Sequence, residues 1–225
     1  EFVLSYPVLT FASGPTNSMR GAAFLSGKSD AIVVDVGGTT TDVGALVKGF
    51  PRPASTTVDV GGVRTNFRMP DIFAIGLGGG TIVSGEGDKL KIGPQSVGYK
   101  LTTDALIFGG NTLTTSDVAV ALGLADFGDK EAISDLQDDH LKVVRERINE
   151  MITNAVERMR VSPDPIPVLA VGGGSILVPD HVAGLPVIRP KYFSVANAVG
   201  AAIGQISGEV DRIFSLDGKT REEAL

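Results

Sequence analysis

The 225-residue chain contains no cysteine and only two histidines. Without cysteine it has no disulfide, no thiol nucleophile and no cysteine-bound metal. His140 follows two aspartates at the expected start of a helix, where acidic residues complement the helix dipole, so a metal site there is disfavoured. His181 follows a single aspartate and is expected to face solvent. Neither histidine forms a pattern with serine and aspartate, so nothing supports a Ser-His-Asp hydrolase.

Long apolar runs and an excess of positive charge are also missing. No uninterrupted stretch reaches about 18 apolar residues, so no membrane span is predicted. Lysine and arginine total 20 against 26 acidic residues, a net charge of −6. A nucleic-acid binder needs the opposite balance, so that class is disfavoured. With 43% hydrophobic and 20% charged residues the composition is that of a folded globular protein. Its expected location is the cytoplasm.

The order of the predicted elements indicates an α/β layered domain. Residues 31–36 are a β-branched run typical of a strand buried on both faces, and residues 41–47 predict a second strand. Apolar residues recur every three or four positions from residue 141 to residue 159, which predicts a long helix. A buried strand at 166–171 and a small-residue helix at 196–206 follow. Further elements are expected at residues 16–26 (helix, after a Gly-Pro turn), 55–67 (extended), 89–92 (hairpin), 116–124 (helix capped by Thr115 or Ser116) and 187–188 (strand).

Glycine is the residue in excess, with 29 of 225 positions. The strongest candidate for chemistry is the segment 35–42, Asp-Val-Gly-Gly-Thr-Thr-Thr-Asp, between the first two strands. Glycines let the backbone approach an anion closely, and successive N–H groups in such a turn form a nest for phosphate oxygens. Asp35 and Asp42 flank the nest, where they would hold a magnesium ion or orient a water molecule. The expected phosphate-binding residues are Gly37, Gly38, Thr39 and Thr40. The alternative is a plain glycine hairpin surrounded by polar residues.

Three other glycine-rich segments lie elsewhere in the chain. The turn formed by Gly172, Gly173, Gly174 and Ser175 follows a buried strand and precedes an expected helix, a geometry that suits a nucleotide base, a ribose or an anion. The segment 76–81 fails the Rossmann spacing and predicts a mobile or ligand-lining loop. The segment 59–66 echoes the first motif but lacks its second acid and its threonines, so it is expected to be a coincidental turn.

At residues 35–42 the chain resembles the actin-like ATPase superfamily, whose members share a duplicated ribonuclease-H-like fold around ATP. A more specific resemblance rests on five blocks in order along nearly the whole chain. They lie at residues 11–27, 35–43, 75–82, 92–96 and 115–123. This ordered set is similar to the hydantoinase A/5-oxoprolinase family, and it implies a ribonuclease-H-like α/β lobe with a mixed sheet and flanking helices.

The resemblance also implies a function. It implies ATP-dependent opening of a cyclic amide, such as a hydantoin or 5-oxoproline, through phosphorylation of the ring carbonyl oxygen. Such chemistry depends mainly on positioning and charge stabilisation. In this hypothesis Asp35 and Asp42 are catalytic, Asp35 binds Mg²⁺, the 37–40 turn binds phosphate, and the 172–175 turn binds adenosine. The implied partners are an upstream lobe of the same polypeptide and a hydantoinase B-type subunit.

The chain departs from the family pattern in two ways. Relatives commonly carry histidine after the Asp-Ile pair that precedes the third glycine cluster, whereas this chain has Phe73. The family also has an upstream lobe with its own phosphate loop. Residues 1–225 are therefore expected to form a single catalytic lobe, with an inserted segment at about 50–130, that binds ATP weakly and does not turn over alone. Two alternatives stay open: a small-molecule kinase and a non-catalytic lobe that regulates or assembles.

Overall fold

The computed structural model describes residues 2–5, 7–54, 59–60, 63–64, 69–162, 164–204, 217–218 and 220. The helices are α1 (Phe2–Ser5), α2 (Ser13–Ser26), α3 (Leu101–Asp104), α4 (Thr115–Ala121), α5 (Asp138–Met159) and α6 (Ala196–Ala202). The strands are β1 (Ala31–Val36), β2 (Thr41–Val47), β3 (Phe50–Pro51), β4 (Asp59–Val60), β5 (Val63–Arg64), β6 (Ile72–Ile75), β7 (Thr81–Ser84), β8 (Lys91–Ser96), β9 (Val168–Val171), β10 (His181–Val182) and β11 (Leu185–Ile188). Short 3-10 turns lie at Pro7–Thr10, Gly87–Lys89, Gly98–Lys100, Leu106–Phe108, Glu131–Ile133, Gly173–Leu177 and Phe193–Val195.

A seven-stranded mixed sheet forms the centre of the fold. Its strand order is β10–β11–β9–β1–β2–β3, and β6 pairs with β2 beside β3. Strand β1 runs antiparallel to β2 and parallel to β9, which in turn runs parallel to β11. Helices cover both faces of the sheet. The predicted α/β fold with a mixed sheet and flanking helices is confirmed.

Different helices pack on the two faces of the sheet. Along β1, Ile32 and Val34 belong to an apolar cluster with α5, whereas Ala31 and Val33 belong to a cluster with α2 and α6. Side chains alternate between the two faces of a strand. Asp35 therefore points to the same face as Val33, toward α2 and α6.

Helices α2 and α6 cross in very close contact. A Cβ atom on Gly21 would collide with the carbonyl group of Ala196, and one on Gly200 would collide with the carbonyl group of Asn17. Only glycine at both positions permits this approach. The small residues that predicted tight packing for the last helix therefore bring α6 against α2.

Several element boundaries differ from the sequence prediction. Helix α2 begins at Ser13, so Pro15 lies in its first turn, where proline is tolerated, rather than in a preceding turn. The N-cap of α4 is Thr114, which forms a capping box with Asp117, and not Thr115 or Ser116. The capping hydroxyl is shifted because Asp117 sits at the third helical position after Thr114.

Two expected elements fall partly outside the described residues. Within the extended stretch expected at 55–67, the structure describes β4 and β5, which pair with each other. The last helix ends at Ala202, and residues 205–206 of its expected range are not described. None of the helices in the described part of the chain has both the length and the apolar character that a bilayer span requires.

Candidate functional site

Two carboxylates face each other at the end of the β1–β2 hairpin. Asp35 and Asp42 are cross-strand partners, so their side chains lie on the same face as direct neighbours. Both residues are partly buried. Burial raises the pKa of both carboxyl groups, and the charge of Asp35 raises the pKa of Asp42 further. A cation between the two side chains would relieve this repulsion.

Helices α2 and α6 supply hydrogen bonds behind this pair. Ser18 of α2 is 1% exposed, and its hydroxyl hydrogen-bonds Asp35, which opposes the rise in the pKa of Asp35 caused by burial. The side-chain amide of Asn197 in α6 donates to the Ser18 oxygen at 3.1 Å and to the Gly14 carbonyl at 2.9 Å. Because Asn197 donates to it, the Ser18 hydroxyl keeps its own proton for Asp35.

The turn at residues 37–40 joins β1 to β2 and presents free backbone donors. It is closed by a hydrogen bond from the Gly37 N–H to the Thr40 carbonyl at 2.9 Å. Gly38, Thr39 and Thr40 are exposed, and their backbone N–H groups form no hydrogen bond with another described residue. Consecutive free N–H groups are the donors of an anion-binding nest. The two carboxylates beside them would repel an anion unless a divalent cation lay between.

The turn at residues 172–175 directly contacts Asp35 and the turn at residues 37–40. A Cβ atom on Gly172 would collide with the Asp35 carboxylate, and Gly172 has a φ of +83°, which favours glycine. A Cβ on Gly174 would lie 2.9 Å from the Gly37 carbonyl oxygen. The structure therefore brings together the two glycine turns that the sequence separates by about 135 positions.

The residues of the 172–175 turn differ in how accessible they are. Gly173 is exposed, and a Cβ there would meet no atom within 4 Å. Ser175 is fully buried, and its hydroxyl has no hydrogen-bond partner among the described residues. The exposed backbone of Gly173, rather than the Ser175 side chain, is the surface that this turn offers to a ligand.

A cavity of about 460 Å³ lies beside the 172–175 turn. Leu124, Ile176 and Pro179 contribute apolar walls. Arg145 and Arg189 supply guanidinium groups at its edge, and each also donates to a backbone carbonyl. Burial lowers the pKa of Arg145, and the nearby charge of Arg189 adds to this.

The loop at residues 76–81 packs behind the 37–40 turn. The N–H of Gly79 donates to the Gly37 carbonyl at 3.0 Å, and the N–H of Gly80 donates to the Gly38 carbonyl at 2.7 Å. Residues 77–81 are buried. The prediction of a mobile or ligand-lining loop is therefore wrong, because backbone hydrogen bonds hold this segment as a support for the turn.

Phe73 lies on the opposite side of the sheet from the carboxylates. It pairs with Val43 in the β2–β6 ladder, whereas Asp42 pairs with Ala74. Its ring packs against the α5 cluster, with the Arg158 guanidinium 4.3 Å from the ring centroid. A side chain at position 73 therefore points away from Asp35 and Asp42.

The histidines take no part in this site. His140 lines a separate cavity of about 620 Å³ between the β7–β8 hairpin and the start of α5, and His181 is exposed. Among the described residues no group of three or more His, Asp or Glu side chains is arranged to hold a metal. Asp35 and Asp42 still fit Mg²⁺, which proteins commonly bind through one or two carboxylates together with water and phosphate oxygens.

Sequence reasoning missed the hydrogen-bonding residues behind Asp35. Ser18 and Asn197 each precede a glycine of the α2–α6 crossing by three positions, namely Gly21 and Gly200. Residues three apart on a helix share a face. Polar residues at that spacing from glycines in two small-residue helices were the available signal.

Known proteins are similar to this chain in sequence. A family model described as Hydantoinase/oxoprolinase matches residues 2–127, more than half of the chain. The gamma subunit of acetophenone carboxylase from Aromatoleum aromaticum is 27% identical over 214 residues, which cover 81% of this chain and 29% of that protein.

Two solved structures share the fold. A nucleotide-free acetone carboxylase, from a study of ATP-dependent acetone carboxylation, superposes with a TM-score of 0.70 at 21% identity, covering 84% of this chain and 31% of that one. An ATP-dependent caprolactamase from Pseudomonas jessenii superposes with a TM-score of 0.68 at 23% identity, covering 84% and 32%. The chain thus spans about a third of the length of these relatives.

Proposed function

Because this chain belongs to the hydantoinase/oxoprolinase family, we propose that it is one ATP-binding catalytic lobe of a longer polypeptide. Residues 1–225 form this lobe, with an inserted segment at about 50–130, and an upstream lobe closes the cleft. The observation that carries the proposal is the row of free N–H groups at Gly38, Thr39 and Thr40 beside two half-buried carboxylates. Backbone donors and a cation-binding pair are what a triphosphate with Mg²⁺ requires.

The carboxylates take complementary roles in this proposal. Asp35, held by Ser18, binds the magnesium ion directly or through water. Asp42 orients the attacking oxygen or a magnesium-bound water molecule. The N–H groups of Gly38, Thr39 and Thr40 hold phosphate oxygens, and the threonine side chains add hydroxyl donors. Gly37, which the sequence also predicted to bind phosphate, instead closes the turn through its N–H.

The adenosine lies on the 172–175 turn. The exposed backbone of Gly173 gives a flat surface for the ribose. The cavity beside this turn takes the base, because its walls at Leu124 and Ile176 are apolar and Arg145 and Arg189 stand at its edge. A purine ring has apolar faces, which suit the apolar walls, and hydrogen-bonding edges, which suit the two arginines.

The reaction we propose is the ATP-dependent hydrolysis of a cyclic amide such as a hydantoin or 5-oxoproline. Phosphorylation of the ring carbonyl oxygen by ATP would activate the carbonyl carbon toward water. Addition of water would then break the ring C–N bond, with the nitrogen leaving as the amine, and a second water molecule would release phosphate from the acyl carbon. The protein's own contribution is positioning and charge stabilisation. The caprolactamase relative is described as ATP-dependent and acts on a cyclic amide.

A second candidate is ATP-dependent carboxylation of a carbonyl substrate. It is favoured by the 27% identity to a carboxylase gamma subunit. That relative is a subunit, so a partner chain of the hydantoinase B type is part of both proposals. We place the assembled enzyme in the cytoplasm.

Calorimetry with MgATP tests the nucleotide proposal. The full-length protein is expected to bind MgATP, and residues 1–225 alone are expected to bind it more weakly and not to turn it over, because one wall of the cleft is missing. Ile176→Trp, which fills the base cavity, should abolish binding, whereas Phe108→Trp on the inserted segment should not. Full turnover by residues 1–225 would contradict the two-lobe proposal.

Product analysis separates the candidate reactions. Cyclic amide hydrolysis gives ADP, free phosphate and a ring-opened amino acid without bicarbonate. Carboxylation requires bicarbonate and gives a new carboxylate. A stable phosphorylated product would instead indicate a kinase.

A further inference from the structure

The orientation of the 37–40 turn follows from where its carbonyls are held. In a trans peptide the C=O of one residue and the N–H of the next point in opposite directions. The carbonyls of Gly37 and Gly38 accept from the N–H groups of Gly79 and Gly80. The N–H groups of Gly38 and Thr39 must therefore point away from the 76–81 loop. The position of the 76–81 loop therefore fixes the direction of the Gly38 and Thr39 N–H groups.

The loop is held in turn by two buried hydroxyl groups at the start of α4. The Thr115 hydroxyl contacts the carbonyl oxygens of Gly78 and Gly79, the latter at 2.9 Å. The Ser116 hydroxyl and backbone N–H donate to the Gly79 carbonyl at 2.8 Å and 3.0 Å. Thr115 is fully buried and Ser116 is 4% exposed.

These two hydroxyls are not needed to start the helix. The N-terminus of α4 is capped by Thr114 and Asp117, which exchange hydrogen bonds in a capping box. Asp117 also accepts from the Ile107 N–H at 2.8 Å. The side chains of Thr115 and Ser116 therefore hydrogen-bond to the loop and do not cap their own helix.

The loop also fits the turn too closely to shift. A Cβ on Gly78 would lie 2.5 Å from the Thr39 nitrogen, and one on Gly80 would lie 3.1 Å from the Gly38 oxygen. A side chain therefore does not fit at Gly78 or Gly80, and the bare glycine backbone packs directly against the turn. A displacement of the loop by α4 would be passed directly to the turn.

From this chain of contacts we infer that Thr115 and Ser116 are positioning residues for phosphate binding. They act through the 76–81 loop to fix the donors of Gly38 and Thr39. The phosphate part of this inference rests on the proposed function, whereas the positioning part concerns the free protein. Loss of the Thr115 hydroxyl removes its bonds to the Gly78 and Gly79 carbonyls, which still accept from the Thr81 N–H and from Ser116 respectively. Fewer hydrogen bonds then hold the loop to α4, so the loop should open more often and the preorganised turn should be lost more often.

Amide hydrogen exchange in the nucleotide-free, full-length protein tests the positioning. In Thr115→Val the amides of Gly79 and Gly80 should exchange about tenfold faster, and those of β1 and α5 should not change. Thr115→Ser keeps the hydroxyl and should restore slow exchange. Thr103→Val is the matched control, because the Thr103 hydroxyl is exposed and, within the part of the chain that the structure describes, bonds to Lys100 and Asp104 and not to the loop.

Ser116→Ala is the milder variant should Thr115→Val fail to fold, and a smaller acceleration at the same two amides is expected. Both variants should also raise the Kd for MgATP, by about tenfold for Thr115→Val, whereas Thr103→Val should not. Unchanged exchange at Gly79 and Gly80 in both variants would overturn the inference, even if MgATP binds normally. A wild-type protein that binds no MgATP would overturn the proposed function, and the exchange data would still decide the positioning.

Discussion

The two faces of the central sheet use the same strands for opposite purposes. On the α5 face the residues of β1 are apolar and fully buried throughout, as with Ile32, Val34 and Val36. On the α2 and α6 face the same strand begins with Ala31 and Val33 and ends with Asp35. The two carboxylates thus lie at the carboxyl end of one face, where the exposed turn begins.

The two faces are expected to contribute differently to stability and to function. The α5 face buries a large cluster of apolar side chains, which is the arrangement that stabilises a core. On the opposite face, two glycines at the crossing of α2 and α6 let these helices approach closely enough to hold Asp35. Substitutions on the two faces should therefore fail in different ways.

Among these substitutions, Asp35→Asn should have the largest effect on ATP turnover. Loss of the carboxylate charge removes a magnesium ligand, so ATP turnover by the full-length protein should fall by about 100- to 10,000-fold. The folded state should keep its thermal stability, because a partly buried charge is replaced by a neutral group. Turnover and thermal unfolding are measured on the same preparation.

Asp30→Asn is the matched control, because Asp30 lies before the other end of β1 and is exposed. It should leave turnover unchanged. An Asp35→Asn protein with full ATPase activity would remove the functional distinction between the faces.

Ile152→Ala should break the structural face. Ile152 of α5 is fully buried in the apolar cluster, and its truncation should cost about 2–5 kcal/mol of unfolding free energy. Below the unfolding transition, the affinity for MgATP should stay close to that of the wild type. Chemical denaturation and calorimetry measure the two quantities, and a lost affinity in a fully folded variant would contradict the separation.

The pH dependence of stability should reveal the strain between the carboxylates. Burial and Asp35 raise the pKa of Asp42 in the folded protein, whereas in the unfolded chain it returns to about 3.9. Between these values the folded state binds more protons, so the contribution of Asp42 to stability rises as pH falls through its folded pKa.

The measurement compares wild type with Asp42→Asn in metal-free buffer from pH 7 to pH 4. The stability of the wild type relative to the variant should increase as the pH is lowered. A relative stability that decreases with falling pH would show that the folded pKa of Asp42 is lowered and not raised.

Phe73→His should have the smallest effect on activity. The side chain at this position faces α5 and not the carboxylates, so turnover should change by less than about twofold. Stability should fall by about 1 kcal/mol, because the contact with Arg158 weakens. A large change in turnover would mean that the α5 face communicates with the site.

The sequence predicted those parts of the molecule that repeat a local pattern. The β-branched run of β1, the turn at 37–40 and the periodicity of α5 each specify their own structure within a short window. The contact between the 37–40 and 172–175 turns follows once β1 and β9 are parallel neighbours, because their carboxyl ends then meet at one edge.

The supporting contacts were beyond sequence reasoning for a physical reason. The 76–81 loop binds the turn through backbone groups, which every residue carries, so no side-chain pattern marks the partners. Ser18 reaches Asp35 because α2 lies against β1, and Asn197 reaches Ser18 through the crossing of two helices far apart in the chain. Whether Phe73 alters the chemistry also depended on strand pairing, which decides the face a side chain occupies.

The most direct test is a crystal structure of the full-length protein with Mg²⁺ and a non-hydrolysable ATP analogue. The account predicts phosphate oxygens within hydrogen-bond distance of the N–H groups of Gly38 and Thr39, with the metal beside Asp35. An analogue bound elsewhere, with the 37–40 turn open to solvent, would contradict it.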